Sequence, residues 1–263
     1  MESCILRVKL KYYAPPSENE GPRGEEPVLQ GEILRDWLLV LFCYVYILSL
    51  IFISGKMEGL LHISKRASRK FLHAMIGNLP FIMPFFTSTI YPILIAASFI
   101  LITFLASPHF PFKINRFGFG GLSELTEEGH TSGPLFYAAS YTFLALFFAS
   151  KPHVMAAGIL PMAYGDGAAW MVGGRYGRRR YALFAEKSIE GTTAMFLASF
   201  LSFTLGLLYF SALNPLSILD RIPLALAVAV VAAFVEGVSP VGFDNLTVPF
   251  AGALTFLLLG GGV

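Results

Sequence analysis

From about residue 37 onward the chain alternates long apolar runs with short polar connections. Runs of membrane-spanning length, about 20 residues for a hydrocarbon core of about 30 Å, fall near 37–54, 71–90, 91–107, 134–150, 153–173, 194–213, 222–239 and 246–260. This pattern predicts an all-α fold, a polytopic membrane helix bundle of about eight transmembrane helices within a range of seven to nine. Pro80 and Pro84 interrupt the second run, and Gly165, Asp166 and Gly167 interrupt the fifth. A broken helix at membrane depth persists only where its freed backbone groups face protein or water, so such breaks mark candidate cavities. For the prolines a simple kink is the alternative. Residues 1–36 are instead a mixed-charge tail carrying proline and glycine, expected to be flexible, with no basic start and apolar core of the kind a cleavable signal has. The remainder, 37–263, reads as one transmembrane domain.

Composition agrees with the pattern. Hydrophobic residues make up 55% and charged residues 14% of the chain, and the mean hydropathy of +0.65 lies outside the usual range of soluble domains. A net charge of +2 is too small to suggest a nucleic-acid partner. Cys4 and Cys43 provide no framework for disulfides or zinc. The distribution of charge carries more information than its sum. Lys56, Lys65, Arg66, Arg69, Lys70, Lys113, Arg116, Arg175, Arg178 to Arg180 and Lys187 all fall in connections on one side of the bundle, leaving Lys151, Arg221 and the tail's basic residues on the other. The positive-inside bias makes the first side cytoplasmic and places the N-terminus outside.

Every unusual polar cluster falls on that same side: SKRASRKFLHAMIG (64–77), NRFGFGGLSELTEEGHTSGP (115–134), GDGAAWMVGGRYGRRR followed by EKSIEG (165–191), and FVEGVSPVGFDNLTVP (234–249). Chance would scatter them over both faces, so a single polar site at the cytoplasmic membrane surface is expected. Asp166 between Gly165 and Gly167 offers a carboxylate with no bulky neighbour, the hard oxygen donor that Mg²⁺ takes, and an acid beside a membrane span is costly enough to point to function. A cap or an ion pair with Arg175 is its plain alternative. Lys187, Ser188, Glu190 and Gly191 precede a new helix, where free N–H groups and the helix dipole favour phosphate. These pieces read as a nucleoside-triphosphate site, although no GxxxxGK[ST], protein-kinase loop or strand-linked GxGxxG is present. The GFGG run at 118–121 reads as a flexible loop first and a phosphate cradle second.

The segments GDGAAWMVGGRYGRRR and EKSIEGT resemble the integral-membrane CTP-transferase families: the phytol, farnesol and dolichol kinases and, more distantly, the phosphatidate cytidylyltransferases. RKFLHAMIG (69–77) is similar to the kinases' Arg-Lys-x-x-His element, EEGHTSGPLFY (127–137) to their middle loop, and VEGVSPVGFDNLTVP (235–249) to their closing Glu then Asp-Asn-Leu element. Ala185-Glu186-Lys187-Ser188 stands where the cytidylyltransferases carry Ser-Pro-Lys-Lys, which tilts the resemblance to the kinases. It covers roughly residues 65 to 260 and makes 37–263 the catalytic domain.

The resemblance implies transfer of the terminal phosphate of CTP, with Mg²⁺ or another divalent cation, to the hydroxyl of a membrane isoprenoid alcohol, giving a prenyl phosphate and CDP. Such an enzyme works where lipid meets water, and phosphoryl transfer asks for positioning and charge neutralisation. The expected catalytic residues are Asp166, Lys187, Asp244 and Glu236, with Asp166 and Asp244 on the metal and Lys187 on the β- or γ-phosphate. Gly165, Gly167, Gly173, Arg175, Gly177, Ser188, Glu190, Gly191, Arg69, Lys70, His73 and Asn245 are the remaining candidates for nucleotide contact. His73 shares a helix face with Arg69, though a lone histidine is as readily a packing residue. His130 with Glu127 and Glu128 stands similarly, and the spacing fits no ordinary zinc set. Arg178 to Arg180 read first as a lipid-headgroup anchor. A cytidylyltransferase making a CDP-lipid, and a transporter using the broken helices, are the rival readings.

Overall fold

A computed structural model of the chain describes residues 25–105, 133–213 and 217–262. Residues 1–24 of the tail and the loop carrying Gly118 to Gly121, Glu127, Glu128 and His130 lie outside the described residues. The first helix, α1 (Glu25–Leu61), begins well inside the segment expected to be a flexible tail. Next come α2 (Lys65–Ile76), two 3₁₀ turns (Leu79–Phe81 and Met83–Phe85) and α3 (Ile90–Leu105). Then follow α4 (Gly133–Phe148), α5 (Pro152–Leu160), a π turn (Pro161–Gly165), α6 (Asp166–Tyr176), a hairpin of β1 (Arg180–Ala182) and β2 (Glu186–Ser188), α7 (Ile189–Leu213), α8 (Ile218–Val238) and α9 (Asp244–Leu258).

Helices occupy five of the expected apolar runs within a few residues of their predicted limits, as α3, α4, α7, α8 and α9. By length and composition, Gln30–Met57 within α1, α7 and α8 are long and apolar enough to cross a membrane, and Ile90–Phe104, Gly133–Phe148 and Asp244–Leu258 are shorter apolar helices.

Three expectations are corrected. The run 71–90 is not a spanning helix. It is the end of a basic amphipathic helix, capped at Ser64 whose Oγ accepts from Ala67 N, and then a 3₁₀ stretch with Pro80 and Pro84 in its first turns. Proline removes a backbone donor and clashes with the preceding turn, so two prolines four residues apart hold this stretch out of an α-helix. Tyrosines anchor its carbonyls and amide instead: Tyr46 Oη donates to Met75 O (2.7 Å), Tyr209 Oη to Phe81 O (2.6 Å) and Tyr164 Oη to Asn78 Oδ1 (2.6 Å). Second, the Gly165-Asp166-Gly167 segment does not break its helix, because α5 continues through the π turn straight into α6. Third, the otherwise helical architecture includes an antiparallel hairpin, with Tyr181 paired to Lys187.

The α5–π segment is the axis of the bundle, flanked by α4, α7, α9 and the first 3₁₀ turn. Its residues Val154 to Leu160 are almost wholly enclosed, as expected of a helix apolar on every side. Small residues let the backbones meet: a Cβ on Gly158 would lie 2.4 Å from Pro249 O, and one on Gly252 2.4 Å from Ala157 O. Close backbone approach through small residues is how helices associate where apolar burial offers no preference.

Candidate active site

Five elements meet at one end of this axis. α6 contributes Asp166, α8 Glu236 from its last turn and α9 Asp244 as its first residue, with respective exposures of 6%, 3% and 8%. One carboxylate oxygen from each lies within 4.8 Å of the others. α2 brings Lys70, which ion-pairs with Asp166, and β2 brings Lys187, which ion-pairs with Glu236 and stands 3.9 Å from Asp244. Burial alone would push the Lys187 amine down, but Glu236, Asp244 and Asp166 together hold it above its ordinary value. Three carboxylates face two ammonium groups, leaving one negative charge in surplus. That surplus, made of hard oxygen donors, fits a divalent cation such as Mg²⁺.

The local folding explains the placement. Two residues before Lys187, the hairpin returns the chain along Arg180–Ala182, and Ile189 N closes it on Arg179 O at 2.9 Å. Ser188 Oγ accepts from Gly191 N (3.1 Å), capping α7. Gly173, Gly177 and Gly191 let α6 cross the start of α7: a Cβ on Gly191 would stand 3.0 Å from Ser188 Oγ, 3.1 Å from Ala169 O and 3.2 Å from Gly173 Cα. At α9, Asn245 N donates to Asp244 Oδ1 (2.9 Å), Asn245 Nδ2 to Gly133 O (3.3 Å) and Ser140 Oγ to Asn245 O (2.7 Å), fixing the acid against α4. The His73 ring packs on Tyr137 with centroids 3.9 Å apart, and its buried Nε2 has no hydrogen-bond partner.

The cluster opens into a cavity of about 670 Å³ whose further walls are apolar. A charged head and a greasy body in one continuous space match a substrate that has both.

Comparison with known proteins follows the same line. Over 128 residues, 48% of this chain, it is 44% identical to a phytol kinase of Synechocystis sp., of which the match covers 53%. Over this stretch the chain is similar to the phytol kinases. A probable chloroplastic phytol kinase of Zea mays is 32% identical over 146 residues, 52% of this chain and 48% of that protein. Another from Glycine max is 36% identical over 145 residues, 54% of this chain and 43% of that protein. The chain thus spans about half the length of the phytol kinases it matches. No protein-family profile and no solved structure matches it.

The residues singled out in the sequence divide into two groups. Asp166, Glu236, Asp244, Lys70 and Lys187 form the cluster, and Arg69, His73, Gly173, Ser188, Gly191 and Asn245 line the same cavity. Gly165, Gly167, Arg175, Gly177 and Glu190 do not line it. Gly165 is a packing position, where a Cβ would lie 2.4 Å from Ser199 Oγ and 2.5 Å from Met195 Sδ. Arg175 lies over the Tyr176 ring, 5.5 Å from its centroid, and the partner of Asp166 is Lys70 rather than Arg175. Glu190 accepts from Arg179 N and holds the hairpin base. Gly133, Tyr137, Trp170 and Thr192 also line the cavity. Trp170 stands four residues after Asp166, the spacing that puts two side chains on one helix face, so it was available to sequence reasoning.

Proposed function

We propose that the chain is a CTP-dependent prenol kinase, transferring the terminal phosphoryl group to the hydroxyl of a membrane isoprenoid alcohol and releasing a prenyl phosphate and CDP. The observation that carries this reading is the three-carboxylate, two-lysine cluster at the head of a cavity that turns apolar beyond it. The relationship to phytol kinases supports an alcohol acceptor and an isoprenoid tail. The choice of cytidine rests on the sequence resemblance.

Asp166, Asp244 and Glu236 would hold the Mg²⁺, which would supply neutralisation of the phosphate charge. Lys187 and Lys70, each already paired with a cluster carboxylate, turn toward the β- and γ-phosphates, and Arg69 adds positive charge at the cavity wall. The acceptor oxygen forms a bond to the γ-phosphorus while the bond from that phosphorus to the β-γ bridging oxygen breaks. The alcohol's proton passes to the carboxylate oxygen of Asp244 or Glu236 that is not used for the metal. Water exclusion by the apolar walls strengthens each of these charge interactions.

The bundle is embedded as a multi-pass membrane protein with this end at the cytoplasmic surface. In support, Lys151 and Arg221 cap carbonyls of Gly262 and Gly261 beyond the far end of α9, while Lys70, Lys187 and Arg178 to Arg180 gather at the near end. The test is purified protein with CTP labelled separately at the α- and γ-phosphates, Mg²⁺ and a panel of lipid alcohols and phosphatidate. The γ-label entering an alcohol supports the kinase. The α-label entering phosphatidate would replace it with a cytidylyltransferase, and no lipid product would defeat both.

A further inference from the structure

The depth of the apolar arm can be measured against α1. Ser54 Oγ donates to Ser68 O (2.9 Å), Tyr46 Oη to Met75 O (2.7 Å), and Asp36 Oδ1 accepts from Thr87 N (2.9 Å). α2 and the 3₁₀ stretch therefore run antiparallel along α1, from the level of residue 54 to that of residue 36. α3 runs alongside, with Tyr44 Oη donating to Ser98 Oγ (2.8 Å) and the Trp37 ring edge-on to Tyr91 at 5.8 Å. Lys70, at the charged head, stands near the level of Ile51, the uppermost α1 residue on the cavity wall. Phe86, one residue before Thr87, stands near the level of Trp37.

Among the described residues the cavity wall reaches Phe86 and goes no deeper, since neither Trp37 nor Tyr91 lines it. Phe86 is 7% exposed, stacked on Tyr91 with centroids 6.2 Å apart, and the backbone after it is held by Asp36. It is a clamped wall rather than a yielding one. Fourteen residues of α1 separate the two levels, about 21 Å at the α-helical rise. An extended chain advances about 1.2 Å per bond, as the roughly 3.5 Å spanned by the three bonds of a residue shows, so this depth takes about 17 bonds. Each isoprene unit adds four bonds to the backbone of its chain.

We infer that the arm holds the acceptor's tail and that Phe86 is its floor, limiting the acceptor to about four isoprene units. The inference rests on the prenol-kinase reading and names what sets tail length within it.

Alcohols of two, three, four and eight or more units, assayed with the full chain in nanodiscs, test it. The expected kcat/KM rises to four units and falls about tenfold or more beyond, since a closed apolar wall discriminates by that order per added group. Phe86→Ala raises the longer alcohols relative to the four-unit one by about tenfold, and Phe86→Trp moves the limit to shorter tails. Independently of turnover and of variant folding, a four-unit alcohol with a diazirine at its far end crosslinks wild-type protein within residues 83–95. Phosphorylation of alcohols with an unchanged length profile in folded variants, or crosslinks confined to outward residues such as Phe52, overturns the floor while leaving the kinase reading standing. If wild-type protein phosphorylates no alcohol, the reading itself fails and takes the inference with it.

Discussion

Asp166→Asn keeps the side chain's shape and removes one charge from the cluster. At the 4.8 Å limit of their separation, each pair of carboxylates repels by about 3.5 kcal/mol for an effective dielectric of about 20. The substitution relieves two of the three repulsions and leaves Lys70 without its ion-pair partner. These effects oppose one another. The metal-free variant should therefore lose less than the about 3–5 kcal/mol that stranding one partner of a buried pair costs alone. What disappears is the negative surplus: two carboxylates now face two ammonium groups. Thermal unfolding in detergent, with and without Mg²⁺, should show a cation-dependent rise in Tm for the parent that is absent from the variant. In parallel, kcat/KM for CTP-dependent phosphorylation should fall about 10²–10³-fold, equivalent to about 2.7–4 kcal/mol, the range for removing one preorganised electrostatic contact. A folded variant that keeps the Mg²⁺ shift and turns over within about threefold of the parent would refute the assignment of Asp166 to the metal.

Lys187→Met leaves Glu236, only 3% exposed, without its counter-ion and should cost about 3 kcal/mol, read as a lowered Tm. Because the lysine's folded value is raised, its stabilisation is complete below the ordinary lysine range near about 10.4 and is lost as pH climbs through the higher folded value. The Tm gap between parent and variant should accordingly stay constant to about pH 10 and close above it. Gly158→Ala forces a Cβ to within 2.4 Å of a backbone oxygen that cannot give way, and should lose about 1–3 kcal/mol by denaturant or thermal unfolding. Gly167→Ala, with nothing within 4 Å of the new Cβ and a helical backbone, should instead gain about 0.5–1 kcal/mol.

The chain's runs of apolar residues made the long helices legible, because a helix that contacts mostly apolar surroundings needs little more than length and composition to declare itself. The cluster was legible for a related reason: buried acids are too costly to be incidental, and Asp166, Glu236 and Asp244 stand out against their neighbours. Glycines misled. Gly165 and Gly177 look like ligand-cradling positions in the sequence, yet their missing Cβ atoms are required by Met195, Ser199 and Ser188, contacts across more than ten residues that no local pattern encodes. The 71–90 run failed for a different reason: apolar composition says nothing of backbone path, and only the tyrosine partners from α1, the π turn and α7 show how Pro80 and Pro84 are accommodated. The pairing of Lys70 with Asp166, 96 positions apart, was likewise out of reach.

One extra residue in the helix axis decides where Asp166 points. A π turn lodges a residue beyond the regular count, so everything after Gly165 is rotated by about 100° relative to an uninterrupted α-helix. Rewinding 161–165 as regular α-helix at unchanged length would swing the acid away from Glu236 and Asp244, whereas deleting one residue there would absorb the bulge and leave the acid in place. The irregularity is thus the feature that aims the carboxylate, and substitutions that made the helix more ideal without shortening it would disarm it.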